Sequence, residues 1–450
     1  MPSRFKRALH MAVIKVLNEY FWREYLEIKK IESYDDLINF QNNYLTRLLL
    51  HAYHNVPYYS KILREYDVTD GKTVNLENFT KIPPLTKDDI RNNFNLLLSK
   101  DYTSRDWYYN SSGGSTGEPV RFVQDKEYKR WAKATNYYYY YDILGVDEIS
   151  SKKALIWGSE KEILELTGSF QGKIINWLTN SIMLNAFKMT EKDLHQFVTT
   201  INKFKPDIIR AYATALYELA RFVEKKRLSI HSPKIIVSTA EMLTDFMREK
   251  IESVFGTKVF NFYGSRESSA IAGECLHQEM HIFSFNQYVE VVNFNDPSIK
   301  QINSVGKILI TTLHNYSMPL IRYEIGDTGI LSSEKGICGH YLPVLKKITG
   351  RITDNFIRKD GTIIHGEYFT HLFYFKDWVK KFQVVQEDFD KIRILIVPKG
   401  VPIEKEKNEI EKGIKKVMGP ECRIIWDIVD DIPVPPSGKH IFTKSLLYER

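Results

Sequence analysis

The apolar positions change period along the chain, and each change marks a new kind of element. Residues 7–100 read mainly as helices with short breaks. In YDDLINFQNNYLTRLLLHAYHN, Leu37, Phe40, Leu45, Leu48 and Leu49 fall at helical spacing. KIPPLTKDDIRNNF is a loop that ends in a cap, Thr86, before another helix. The polar stretch NSSGGSTGEP, residues 110–119, interrupts this regime. After it VRFVQD alternates as a strand does, and a helix begins at Lys126. Tyr137–Tyr141 would place rings all round such a helix, so most of them serve packing.

The clearest pattern lies between 190 and 265. Thr190 and Asp193 suit a helix start, and Pro206 closes that helix. DIIRAYA, PKIIVSTA and KVFNFYG read as strands. ALYELARFVEKKR and LTDFMREKIESVFG read as the helices between them, the second with Thr244 as cap and Gly256 as stop. Strand, helix, strand, helix, strand predicts a parallel sheet with right-handed crossovers. Ligands of such sheets sit beyond the carboxyl ends of the strands, here Ser238–Glu241 and Tyr263–Glu267.

From 285 to 350 the pattern turns to strands: YVEVVNF, GKILITTL, LIRYEIGDTGIL and VLKKITGR. Beyond Arg351 come a hairpin (KFQVVQEDFDKIRILIVPKG), a charged helix (IEKEKNEIEKGIKKVMG) and a strand (CRIIWDIVDDIPV). That is a small α+β unit of about a hundred residues, a domain in size. The boundary falls near GRITDN. The fold class expected is α/β: a large N-terminal part with parallel sheets and a β-rich portion, then a small C-terminal α+β domain. No internal repeat is visible.

Composition narrows the function classes. The 450 residues are 43% hydrophobic and 26% charged, the balance of a soluble globular protein of two or more domains. A formal charge of +7 suits anionic small substrates and does not imply nucleic acid. Three cysteines without paired spacing argue against a disulfide framework and suit a reducing, cytoplasmic setting. The start is basic and amphipathic. Its longest uncharged run, Ala8–Ile14, is too short to span a bilayer, and no small-residue cleavage site follows. That segment suits a helix packed on its own domain, with weak membrane-surface contact as the alternative.

Five stretches can carry chemistry. NSSGGSTGEP fits neither G-x-x-x-x-G-K-[ST] nor G-x-G-x-x-G. It reads as a solvated turn, or as a loop that aims backbone N–H groups and the hydroxyls of Ser111, Ser112, Ser115 and Thr116 at an anion. In NFYGSRESS, Glu267 is a surface acid or a Mg²⁺ ligand. In LIRYEIGDTGIL, Gly326 makes a turn with Asp327 at its tip, a common β-turn or an acceptor for ribose hydroxyls. GRITDN offers Arg351, and the exposed loop PVPPSGKHIF carries Lys439 at its tip.

Taken in order, these stretches resemble the adenylate-forming superfamily of acyl-CoA synthetases and nonribosomal adenylation domains. The order is Ser/Thr/Gly loop, Tyr-Gly-x-x-Glu, Gly-Asp, Gly-Arg-x-x-Asp and a late Gly-Lys. AYHNVPYYSKIL, IPPLTKDDIR and AYATALYELARFV are similar to its phenylacetate–CoA ligase-like branch, and within it to the CapK-like capsule-biosynthesis proteins.

The resemblance implies ATP- and Mg²⁺-dependent activation of a carboxylate, then acyl transfer. Ser111, Ser112, Gly113, Gly114, Ser115, Thr116 and Gly117 would hold the β- and γ-phosphates. Ala240 and Glu241 would lie by the adenine, Tyr263, followed by Gly264, would stack on it, and Glu267 would ligate Mg²⁺. Asp327 would bind the ribose with Arg351 nearby, and Lys439 would bridge carboxylate and α-phosphate. Residues 1–350 would form the large domain, 351–354 the hinge with Asp354, and 355–450 a mobile lid. The resemblance also suggests a homodimer.

Two departures stand out. Glu118 occupies a position where the family often has Lys, which removes a cation from the phosphates unless Glu118 faces solvent or pairs with Arg121. Phenylacetate-ligase relatives often carry a Cys/His zinc site, matched here by Cys275, His281 (or His277) and Cys338. Gly336 stands at the position of a further cysteine. A tetrahedral structural site takes four ligands, so this is a partial Zn²⁺ site, one completed by His340, or a set of ordinary buried cysteines. The activities expected are a ligase joining a small acid, such as an amino acid, to an amine, hydroxyl or carrier thiol in surface-polysaccharide modification, or an aryl- or acyl-CoA ligase using CoA. A degenerate nucleotide-binding relative is the third.

Overall fold

Helix caps and strand alternation place the elements much where the sequence predicts them. The computed structural model describes residues 20–112, 120–157, 177, 179–186, 188–349, 356–364, 366–373, 376, 378–432 and 442–448. The chain forms two compact units. One holds the described residues up to 112 together with 120–149 and 260–349, and the other those of 150–259 and from 356 onward.

In the first unit helix α1, Tyr34–Asn55, starts where the Ser33 hydroxyl accepts from the Asp36 N–H at 3.1 Å. Its face of Leu37, Leu45, Leu48 and Leu49 is buried, while Phe40 is half-buried against Trp131. Thr86 and Asp89 form the capping box of the short helix Lys87–Asn92. Strand β1, Trp107–Ser111, pairs antiparallel with β2, Arg121–Asp125, and α2 follows as Lys126–Tyr138. The tyrosine run packs as expected. Tyr137 to Tyr140 are buried and Tyr141 is exposed, with a π turn over Tyr139–Ile143.

The second unit begins with β3, Lys153–Trp157, β4, Ser181–Asn185, and the short β5, Lys188–Met189. The predicted alternation follows: α3, Glu191–Phe204, β6, Ile208–Tyr212, α4, Ala213–Lys225, β7, Ile235–Thr239, and α5, Asp245–Phe255. Four parallel strands run in the order β4-β3-β6-β7. Gly256 ends α5 at φ 64°, a conformation that glycine adopts without strain. Leu216, Leu219, Ile236 and Ile251 are among the fully buried side chains of this core. Strands β3 and β4 were not singled out in the sequence.

The chain then contributes β8, Val259–Ser265, β9, Ser269–Glu274, and β10, Met280–Ile282, as antiparallel neighbours in the first unit. A four-stranded antiparallel sheet follows: β11, Gln287–Val292, β12, Val305–Thr312, β13, Tyr323–Leu331, and β14, Leu345–Thr349. One expectation changes here. Gly326 and Asp327 do not form a turn; they lie inside β13, where the register against β12 shifts. Gly326 takes φ +89°, which lets the strand bulge without a Cβ penalty. The core beneath this sheet also holds a buried ion pair between Arg322 and Glu290, each 1% exposed. Arg322 donates further to the carbonyls of Thr80, Ile82 and Pro297.

In the C-terminal segment, β15, Phe356–Ile357, pairs with β16, Ile363–Ile364, and β16 with β5. The predicted hairpin is β17, Val379–Asp388, with β18, Lys391–Pro398. The predicted charged helix is α6, Glu404–Met418. With β19, Arg423–Ile428, and β20, Thr443–Ser445, the order is β19-β18-β17-β20. Ile410 and Ile414 of α6 share a buried cluster with Phe382, Ile394 and Phe442. No helix among the described residues is long and apolar enough to cross a membrane.

Candidate functional site

The polar stretch between β1 and β2 is braced at its base. Ser112 is buried; its N–H donates to the Val120 carbonyl at 2.9 Å, and its Oγ accepts from the Val120 N–H at 2.8 Å. Ser111 ends β1, with its N–H on Asn110 Oδ1 at 2.8 Å. Gly113, Gly114, Ser115, Thr116, Gly117 and Glu118 lie outside the described residues, as do Arg351, Asp354 and Lys439. Arg121 places its guanidinium 4.5 Å from the centre of the Tyr109 ring.

Glu267 sits on the tight turn between β8 and β9. That turn is held by its own main chain and by neighbours. Ser268 N–H donates to Ser265 Oγ at 3.1 Å, and Gln287 Nε2 donates to the Ser268 carbonyl. Gln124 Nε2 donates to the carbonyls of Arg266 and Glu267 at 2.9 and 3.2 Å, and the Tyr128 hydroxyl adds a bond to the latter. Gly264 is required here by close approach: a Cβ would meet the Ser269 carbonyl oxygen at 2.4 Å. The Glu267 carboxylate, 4% exposed, accepts from the Tyr323 hydroxyl at 3.1 Å. A carboxylate fixed in this way can serve as one Mg²⁺ ligand beside substrate phosphates, because Mg²⁺ takes few protein ligands.

Tyr263, on β8, donates its hydroxyl to Asp327 Oδ2 at 2.8 Å. The bulge at Gly326 brings Asp327 to that position. Tyr263, Glu267 and Asp327 are thus joined through β8 and β13, since Tyr323 and Asp327 share β13. Tyr323 and Gln124 were not among the predicted site residues. Nothing local distinguishes them, because both act on groups more than fifty positions away.

In the second unit Ala240 follows β7 at φ +68°, a strained value for a residue with a Cβ. The Glu241 carboxylate accepts from Thr214 N–H at 2.9 Å and Thr214 Oγ1 at 2.6 Å. It therefore sits on the first turn of α4, where the helix dipole favours negative charge. Ser238, fully buried, leaves its Oγ without a hydrogen-bond partner among the described residues.

A separate cluster forms in the first unit around the β9–β10 hairpin. One donor atom from each of Cys275, Glu279, His281 and Cys338 lies within 4.8 Å of the others. His281 Nδ1 faces the Leu342 carbonyl at 3.2 Å, so Nδ1 carries the proton and Nε2 presents its lone pair to the cluster, 3.1 Å from Cys338 Sγ. Burial pushes the Cys338 thiol up to about 11. Burial also raises the Cys275 thiol, but its hydrogen bond with His281, backbone hydrogen bonds at Glu279 and His277 and the His281 charge together outweigh that and leave it below the usual range. Of the two histidine alternatives, the structure selects His281; His277 is exposed. His340, the alternative fourth ligand, instead meets the Tyr138 hydroxyl at 3.3 Å, and burial with the nearby His281 lowers it to about 4. The fourth member is Glu279, which the sequence reading missed.

Comparison with known proteins agrees with this layout. Residues 356–445 match the CapK C-terminal domain family. Protein CapK of Staphylococcus aureus is 27% identical over 431 residues, 93% of this chain and 91% of that protein. Phenylacetate-coenzyme A ligase of Thermus thermophilus is 24% identical, covering 77% of each. Among solved structures, 2-hydroxyisobutyryl-CoA ligase in complex with 2-HIB-AMP and CoA aligns with a TM-score of 0.63 at 17% identity, over 93% of this chain and 92% of that one. Two-unit α/β architecture, the order of the motifs and these likenesses agree: the chain carries a CapK C-terminal domain, is similar along most of its length to Protein CapK and to phenylacetate-coenzyme A ligases, and shares the fold of the CoA ligase structure.

Proposed function

We propose that this chain is an ATP-dependent, AMP-forming ligase. A carboxylate oxygen attacks the α-phosphate, pyrophosphate leaves, and an acyl-adenylate forms. A nucleophile then takes the acyl group, releasing AMP and a proton. The observation that carries this reading is the joining of Tyr263, Glu267 and Asp327 through β8 and β13. An aromatic face, a metal-binding acid and a diol-binding acid are what a nucleotide requires, and preorganised groups need no rearrangement at the moment of reaction. Mg²⁺ on Glu267 would neutralise phosphate charge. The resemblance assigns the β- and γ-phosphates to Ser111–Gly117 and the bridge between carboxylate and α-phosphate to Lys439, on a lid of residues 355–450 that would swing about Asp354. A zinc ion at the cysteine–histidine cluster would be structural, since a closed set leaves no open position for substrate.

The acceptor is an amine or hydroxyl in surface-polysaccharide modification, a reading supported by the likeness to Protein CapK along nearly the whole chain. Transfer to the thiol of CoA is the second reading, supported by the phenylacetate-coenzyme A ligase relatives. Exchange of labelled pyrophosphate into ATP, screened over a panel of carboxylic and amino acids, tests the first half-reaction. Exchange with at least one acid is expected. Absence of both exchange and ATP binding would remove the ligase reading. Product mass with CoA, amino sugars and carrier protein offered together then decides the acceptor.

A further inference from the structure

The cysteine–histidine cluster is incomplete as a metal site until Glu279 is counted. Cys275 ends the β9 side of the hairpin, and Glu279 and His281 stand on the return. A tight turn closes the hairpin, with Cys275 N–H on the Glu279 carbonyl at 2.9 Å and Gln278 at φ +61°. Cys338 arrives from the segment before β14. Its own N–H and that of Ile337 donate to the Glu279 carboxylate at 3.2 and 3.0 Å. Those two bonds hold the carboxylate beside the sulfur rather than in solvent.

Gly336 makes room for this arrangement. A Cβ there would stand 2.8 Å from Glu279 Oε2 and 2.9 Å from His281 Cε1. The absent side chain leaves the space that the carboxylate fills. Tetrahedral zinc, with bonds of about 2.0–2.3 Å, sets its donors about 3.3–3.8 Å apart. Four donors already within 4.8 Å of one another need only a small contraction to meet that geometry. Burial of Cys275 and His281, and the fixed Nδ1–H tautomer of His281, remove further reorganisation.

We infer that Glu279 is the fourth ligand of a closed Cys275–Glu279–His281–Cys338 cation site that prefers zinc, and that Gly336 is present to admit its carboxylate. Two thiolates and an imidazole favour a thiophilic ion, while the carboxylate makes the set harder than one of thiolates alone. The site clamps the β9–β10 hairpin to the segment before β14. It is independent of the adenylation reading and can fail or hold without it.

The test uses the full chain, purified without chelator and with thiols kept reduced. About one zinc per chain is expected by elemental analysis. Cobalt(II) exchanged into the site is expected to show thiolate charge-transfer absorption and the intense visible bands of tetrahedral geometry. Glu279→Gln keeps the shape and one carbonyl oxygen, so one of the two backbone N–H groups retains its acceptor. It is expected to lower zinc affinity at least about tenfold in chelator competition, the scale of losing even an outer-sphere partner. Glu279→Ala should lose metal, and Glu279→Ala with Gly336→Cys should regain it, because a side chain at 336 points to the vacated position. Circular dichroism confirms that each variant is folded. A reduced chain that holds no zinc and takes up no cobalt overturns the site. Wild-type affinity in Glu279→Gln overturns the role of Glu279.

Discussion

The hydroxyl of Tyr263 donates to Asp327 Oδ2 at 2.8 Å, so the aromatic ring at the end of β8 and the acid in the β13 bulge are one unit. A ligand that takes the carboxylate must meet it with the ring already in place. Tyr263→Phe keeps the stacking face and removes the tether. A hydrogen bond to a charged group is worth about 1.5–3 kcal/mol. The expected result in pyrophosphate exchange is a KM for ATP raised about tenfold, with kcat changed much less. An unchanged KM would separate Asp327 from nucleotide binding.

Tyr323 acts on the other acid. Its hydroxyl orients Glu267, and Tyr323→Phe should leave the fold intact while shifting the Mg²⁺ titration of exchange to higher concentration. Glu267→Gln should reduce exchange far more, by about 100-fold or greater, the scale of removing one preorganised electrostatic group. Equal Mg²⁺ dependence in wild type and Tyr323→Phe would show that the tyrosine only fills space.

Gly264→Ala places a methyl carbon 2.4 Å from the Ser269 carbonyl oxygen, which is backbone and cannot swing aside. The turn must shift. A loss of about 1–3 kcal/mol is expected in urea unfolding, accompanied by loss of exchange because Glu267 rides on the same turn. Full stability in that variant would contradict the geometry.

Arg322 and Glu290 offer a test of the core alone. Removing one partner of a buried pair leaves the other charge uncompensated and costs about 3–5 kcal/mol. Arg322→Met should therefore destabilise strongly. The double variant Arg322→Met with Glu290→Leu should be less destabilised than Arg322→Met, since no charge is then stranded. Differential scanning calorimetry of the three chains decides it.

Lys439→Ala should abolish most exchange while leaving ATP affinity nearly as it was, as expected for a group that follows charge developing on the α-phosphate. Glu118→Lys should tighten ATP binding when the side chain faces the phosphates. Unchanged affinity, by equilibrium binding, would mean that Glu118 faces away.

Local signals were legible in the sequence. The period of α1, the capping boxes at Thr86 and at Thr190 with Asp193, the Gly256 stop and the alternation of β6 to β7 are each written within a few residues. So is the hairpin of β17 and β18. Asp327 stands out in the sequence as a candidate site acid, but its setting does not. The Gly-Asp pair reads as a turn, and only pairing with β12 shows it to be a bulge inside a strand.

Element types and the α/β class are written in the chain itself, because period and caps are properties of short stretches; motif order proposes Tyr263, Glu267 and Asp327 as one site, and the fold brings the three together through β8 and β13. Tertiary structure alone decided which groups hold them. Tyr323 meets Glu267, Gln124 pins the turn, and Glu279 rather than His340 joins the cysteines and His281. The same holds for Arg322 and Glu290, thirty-two positions apart. These are contacts between distant segments. They depend on how strands register and on where a missing Cβ, as at Gly336, leaves room, and neither is encoded in the local pattern.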